Sequence, residues 1–121
     1  MALTIATREL DGVTILDLSG RITLGEGAVQ LREAIRELIG KGQKKILVGL
    51  GDVNYIDSSG LGELVAAYTT ATTAGGEMKL LSLAKRVHDL LKITKLYTVF
   101  ETFEDEASAM GSFSHAQQPA I

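Results

Sequence analysis

The residues best placed to do chemistry are Asp57-Ser58-Ser59-Gly60-Leu61-Gly62. Two adjacent hydroxyls follow an aspartate and precede two glycines at the expected start of a helix. A helix N-terminus carries unsatisfied N–H groups and the positive end of the helix dipole. Serines there can cap those groups, act as nucleophiles or accept a phosphate. Capping explains part of the pattern, since Ser and Asp are preferred N-cap residues. It does not explain a second serine, nor two glycines in a first turn, where each costs roughly 1 kcal/mol relative to alanine. The acidic partner of a capping box is missing too, because Leu61 and Gly62 stand three residues after Ser58 and Ser59. Small residues here leave the hydroxyls open to an approaching partner or enzyme.

Rival chemistries find little support. A nucleophilic serine on a strand-to-helix elbow has glycine two residues to either side. Gly60 meets that requirement and Ile56 breaks it. The only bases are His88, expected on a wet helix face beside Lys85 and Arg86, and His115 near the C-terminus. A phosphate-cradling loop is absent: Gly40-Lys41-Gly42 lacks the rest of that motif. Two separated histidines and no cysteine give no thiol nucleophile, no disulfide and no dedicated metal site. No cofactor is expected. A net charge of −3 offers no basic surface for nucleic acid. No apolar run reaches the roughly 20 residues of a membrane helix. Met1 to Ile5 has neither the basic run nor the apolar run of a signal peptide.

The elements that must position the motif follow from periodicity. Leu3 to Leu10 and Val13 to Ser19 read as strands joined at Asp11-Gly12, a strong hairpin signal. The second of them is apolar on both faces, which places it inside the sheet. From Ala28 to Ile39 the period becomes helical, with Leu31, Ala34, Ile35, Leu38 and Ile39 on one stripe. Arg32, Glu33, Arg36 and Glu37 form its solvated face. Lys45 to Leu50 is a covered parallel strand, and 51–60 reads as the loop that leads to the motif. The second helix carries Leu61, Leu64, Val65 and Tyr68 inward and stops at Gly75-Gly76. Met78 to Leu81 is a fourth strand, Lys85 to Lys92 a short helix, Thr98 to Glu101 a last short strand, and Asp105 to Met110 the start of a final helix. The expectation is one α/β domain over residues 1–112 with a mixed four- to five-stranded sheet, an N-terminal hairpin and about four helices, followed by a flexible tail over 113–121. At 121 residues and 45% hydrophobic, the chain is long enough for one domain with an aliphatic core and too short for two ordinary domains.

Asp52-Val53-Asn54-Tyr55-Ile56-Asp57-Ser58-Ser59-Gly60-Leu61-Gly62 resembles the signature of STAS-domain anti-sigma-factor antagonists. Leu18-Ser19-Gly20-Arg21-Ile22, Ala74-Gly75-Gly76-Glu77-Met78-Lys79-Leu80 and Thr94-Lys95-Leu96 resemble flanking parts of that family, so the resemblance spans about residues 3–112. It implies a cytoplasmic partner switch that is not an enzyme. Its partner is an anti-sigma factor that is also a serine kinase. Binding frees the sigma factor, phosphorylation of Ser58 ends the binding, and a metal-dependent serine phosphatase restores it. Ser59 is the alternative acceptor. The partner surface implied is Asp57, Ser58, Ser59, Gly60, Leu61 and Gly62, with Arg21, Thr23 and Glu26. Many members have an acidic residue where Thr23 stands, and Glu26 is the substitute. Gly25 and Gly27 around it suggest a mobile loop. STAS domains also serve as scaffolds of stress-signalling complexes and as regulatory domains of anion transporters, which is the alternative role.

Overall fold

A computed structural model describes residues 3–113. The order is β1 (Leu3–Leu10), β2 (Val13–Ile22), α1 (Glu26–Gly40), β3 (Lys45–Ile56), α2 (Ser58–Thr73), β4 (Glu77–Leu81), α3 (Lys85–Thr94), a 3₁₀ turn (Leu96–Thr98), β5 (Thr102–Phe103) and α4 (Glu106–Ser112). The five strands lie in sequence order, β1-β2-β3-β4-β5. The β1–β2 pair is antiparallel and the other three are parallel, so the sheet is mixed, as expected. The hairpin turn has both Asp11 (φ 50) and Gly12 (φ 82) in the left-handed region, the backbone a tight primed turn demands.

Alternation along the strands builds two cores. On one face Leu16, Leu18, Ile46, Val48, Leu50 and Leu80 pack with Leu31 and Ile35 of α1, Leu64 of α2, and Val87 and Leu91 of α3. On the other, Val13, Ile15, Leu47 and Leu81 pack with Ala109 of α4 and with Phe113. The second, smaller core is closed by polar clasps. Arg8 of β1 donates to Asp17 of β2 (2.7 Å) and Glu106 of α4 (2.6 Å). Lys79, only 6% exposed, donates to the Ser112 carbonyl (2.9 Å), pairs with Glu101 (2.9 Å) and sits 4.9 Å above the Phe113 ring.

Four boundaries differ from those expected. β2 continues past Ser19 to Ile22 and β3 continues past Leu50 to Ile56, because the two extensions pair with each other through Ser19↔Asp52, Gly20↔Val53 and Arg21↔Tyr55. The register shifts twice along this stretch, and only Val53 and Ile56 of the β3 extension are buried, so the strand pattern is hidden. The last strand is Thr102–Phe103 rather than Thr98–Glu101, where the chain instead forms the 3₁₀ turn and its exit. The glycines at 25 and 27 do not make a loose loop: Gly25 (φ 93) is the N-cap of α1 and Gly27 is buried inside that helix. Phe113, expected to begin the tail, is 2% exposed. The rest of that segment, His115 included, lies outside the described residues.

Candidate functional site

The C-terminal end of β3 delivers Asp57 as the N-cap of α2, with extended backbone (φ −102, ψ −176). One carboxylate oxygen accepts from the Gly60 N–H at 2.8 Å, the expected capping bond. The other accepts from the Leu24 N–H at 3.0 Å, thirty-three residues away in the β2–α1 connection. Asp57 is therefore both a cap and a clasp. These donors, Leu24 first and Gly60 second, hold its carboxyl below the ordinary aspartate value. The Asp57 N–H also reaches the Ile22 carbonyl (3.3 Å).

That same carbonyl explains Gly60. A Cβ there would run into the Ile22 carbonyl oxygen and carbon, so α2 can approach the end of β2 only through glycine. Gly62 has no such reason: a Cβ would meet nothing within 4 Å. The bare helical position is solvent-exposed, and so are Ser58 and Ala66 four residues to either side. Exposed Ser58, Gly62 and Ala66 thus form one smooth stripe along α2. Ser59 and Leu61 turn inward, half-buried and buried respectively. Among the described residues, no side-chain hydrogen bond engages the Ser58 hydroxyl.

The structure brings the β2–α1 connection to this stripe. Leu24, tied through its N–H to Asp57, is 77% exposed. Its one signal in the sequence is that of an isolated apolar residue between Thr23 and Gly25. Thr23 accepts the Ala28 N–H at 3.0 Å through its carbonyl and is half-buried, while Glu26 opens α1 and is exposed. Arg21 stacks over Tyr55 at 5.1 Å. Alongside, Arg32 of α1 pairs with Glu63 of α2 at 2.8 Å, bridging the two helices, so this part of the α1 charged face is occupied.

His88 is exposed on α3, with Asp89 as its recorded neighbour at 3.7 Å. Among the described residues no group of three or more His, Cys, Asp or Glu is placed to hold a metal, and no helix is long and apolar enough to cross a membrane.

Comparison with known proteins agrees with this geometry. The model of the STAS domain family matches residues 4–109. An anti-sigma F factor antagonist of Paenibacillus polymyxa is 30% identical over 91% of this chain and 94% of its own length. An anti-sigma-B factor antagonist of Bacillus subtilis is 29% identical over 84% and 91%. A candidate anti-sigma factor antagonist of Thermotoga maritima superposes with a TM-score of 0.84 at 27% identity, covering 90% of this chain and 93% of that one.

Proposed function

The chain belongs to the STAS domain family, and from that premise we propose that it is a cytoplasmic anti-sigma factor antagonist that works by binding rather than catalysis. Its partner is an anti-sigma factor with serine-kinase activity, and Ser58 is the phosphate acceptor. The observation that carries this reading is the exposed Ser58 beginning a stripe of small residues, with Leu24 clasped beside it as an apolar anchor. Ser59 is the weaker acceptor because it is half-buried. Gly60 and Leu61 position the helix, and Asp57 positions both helix and loop. Arg21, Thr23 and Glu26 border the docking face.

Phosphate at Ser58 would add about −1.5 to −2 charge. The helix N-terminus does not simply absorb it, because Asp57 already takes the Gly60 N–H. The phosphate would point outward beside a carboxylate, and a docked partner would have to desolvate both. Loss of binding without loss of fold is the outcome a switch needs, and a serine phosphatase acting on Ser58 would reset it.

The test is a kinase reaction with ATP and a serine-kinase anti-sigma factor from the same genome, with the site mapped by mass spectrometry and the complex followed by size exclusion. A single phosphate on Ser58 and dissociation of the complex are expected. Unchanged labelling of Ser58→Ala overturns the assignment of the acceptor. Neither label nor complex with any such kinase overturns the switch.

A further inference from the structure

The stretch from 85 to 98, α3 and the 3₁₀ turn after it, differs from the rest of the molecule. It holds four of the twelve Lys and Arg residues and one of the fifteen Asp and Glu, so it is +3 within a chain of −3. Its single carboxylate, Asp89, is taken by Lys85 at 2.9 Å. Arg86, Lys92 and Lys95 are exposed and have no ion pair among the described residues. Between these cations stand two exposed apolar side chains, Ile93 at 78% and Tyr97 at 54%. Leu90 and Leu96 lie partly exposed beside them.

Leu90 and Leu96 pack against the core, whereas Ile93 and Tyr97 do not belong to it. The inward face of α3 is complete with Val87 and Leu91, at 0% and 1% exposure. A β-branched isoleucine is a poor choice for an exposed helical position, where chain stiffness lowers helix propensity and apolar surface lowers solubility. The helix closes on Lys95 in the left-handed region (φ 63), a position glycine fills at less cost. The lysine keeps a cation there. Arg86 and Ile93, seven residues apart, fall on one line of the helix. One exposed apolar residue means little, whereas two framed by unpaired cations make a patch.

We propose that Arg86, Lys92, Ile93, Lys95 and Tyr97 form a second docking surface, for a short acidic segment of a partner protein that seats an apolar side chain on Ile93 and Tyr97. Charge complementarity selects this occupant. An extended anionic surface, such as a lipid bilayer, would also face the remaining chain, which carries −6 once the +3 segment is set aside. A peptide segment meets only α3 and the turn after it. A second copy of this chain is a poor source: in its acidic stretch Glu101 and Glu106 are paired and Asp105 caps α4, which leaves one exposed carboxylate, Glu104. The surface shares no residue with the Ser58 site, so it would hold its partner in either state of Ser58.

The probe is a fluorescein-labelled peptide of about twelve residues, long enough to lie along a helix of this length, with glutamates flanking a leucine and a phenylalanine four apart. Fluorescence anisotropy on the full chain should show saturable binding. Replacing the glutamates by glutamine, or the two apolar residues by serine, should weaken it about tenfold or more. Lys92→Glu with Lys95→Glu, and separately Ile93→Ser with Tyr97→Ser, should do the same with an unchanged circular-dichroism spectrum. Lys41→Glu with Lys44→Glu, a control elsewhere, and Ser58→Glu should leave it unchanged. Failure of the glutamate peptide to bind, equal loss with the Lys41/Lys44 control, transfer of the Ile93 and Tyr97 dependence to phosphatidylserine vesicles, or a dimer in sedimentation that Ile93→Ser disperses would each overturn the proposal.

Discussion

Two glycines two residues apart should respond oppositely to the same methyl group. At Gly62 the new Cβ meets nothing within 4 Å in a helical, exposed position. Alanine there recovers roughly 0.5–1 kcal/mol of backbone entropy. With a urea slope of about 1–3 kcal/mol per molar, Gly62→Ala should raise the unfolding midpoint by about 0.2–1 M. At Gly60 the Cβ falls onto the Ile22 carbonyl. Backbone cannot swing aside as a side chain can, so α2 must lift from β2. Overpacking of this kind costs about 1–3 kcal/mol, and the midpoint should drop by at least as much as Gly62→Ala raises it. The decisive assay pairs urea unfolding of both variants with titration against the anti-sigma factor. Gly62→Ala should be more stable yet bind less tightly, because its methyl group lies on the docking stripe. A Gly60→Ala protein as stable as wild type would refute the close approach. A stabilised Gly62→Ala with unchanged binding would show that the glycine is not kept for docking.

Asp57→Asn should destabilise the fold at neutral pH, since a single amide oxygen cannot replace two carboxylate oxygens that accept from Leu24 and Gly60. Because the folded-state pKa of Asp57 is lowered, the unfolded chain takes up its proton first, and stability should be lost as pH falls from the ordinary aspartate range through that lowered value. Asp89, Asp105 and Glu106 are lowered as well, so the reading comes from the difference between wild type and Asp57→Asn, which should shrink on acidification. Thr14, 2% exposed with its hydroxyl unpartnered, should be improved by Thr14→Val, by about 1 kcal/mol in urea unfolding. Lys79→Ala should cost about 2–4 kcal/mol by leaving a cavity and releasing α4, whereas Lys79→Met should cost about 1.5 kcal/mol or less, since it keeps the packing volume.

The hairpin, the helices and the site motif were legible because each is written locally. Asp11-Gly12 specifies its own turn, the stripe from Leu31 to Ile39 its own helix, and Asp57-Ser58 its own cap. What was not legible depends on partners distant in sequence. The strand character of Gly51 to Ile56 exists only because Ser19 to Ile22 runs beside it through two register shifts; alone, an exposed Gly-Asp and Asn-Tyr read as a loop. The second role of Asp57 depends on an N–H in another connection, and the need for Gly60 on a carbonyl of β2. Leu24 escaped notice because exposure, not residue type, is what marks it. The two-residue β5 has no periodicity to detect and is fixed by its pairing with Leu80 and Leu81.

A sheet whose strands lie in the order in which they are made can assemble during synthesis, each new strand adding to the edge left by the last. The three helices of the larger core emerge in step with it. The smaller core is different: Val13, Ile15, Leu47 and Leu81 wait for Ala109 and Phe113, which are made after all of them. Until then the nascent chain shows water an apolar stripe, and Arg8, made well before α4, lacks its Glu106. A ribosome stalled before residue 106 would therefore hold a chain whose sheet is formed but greasy on one side, a natural client for a chaperone. Release of the final turn of α4 is the moment at which β1 and α4 are pinned together and that side is sealed.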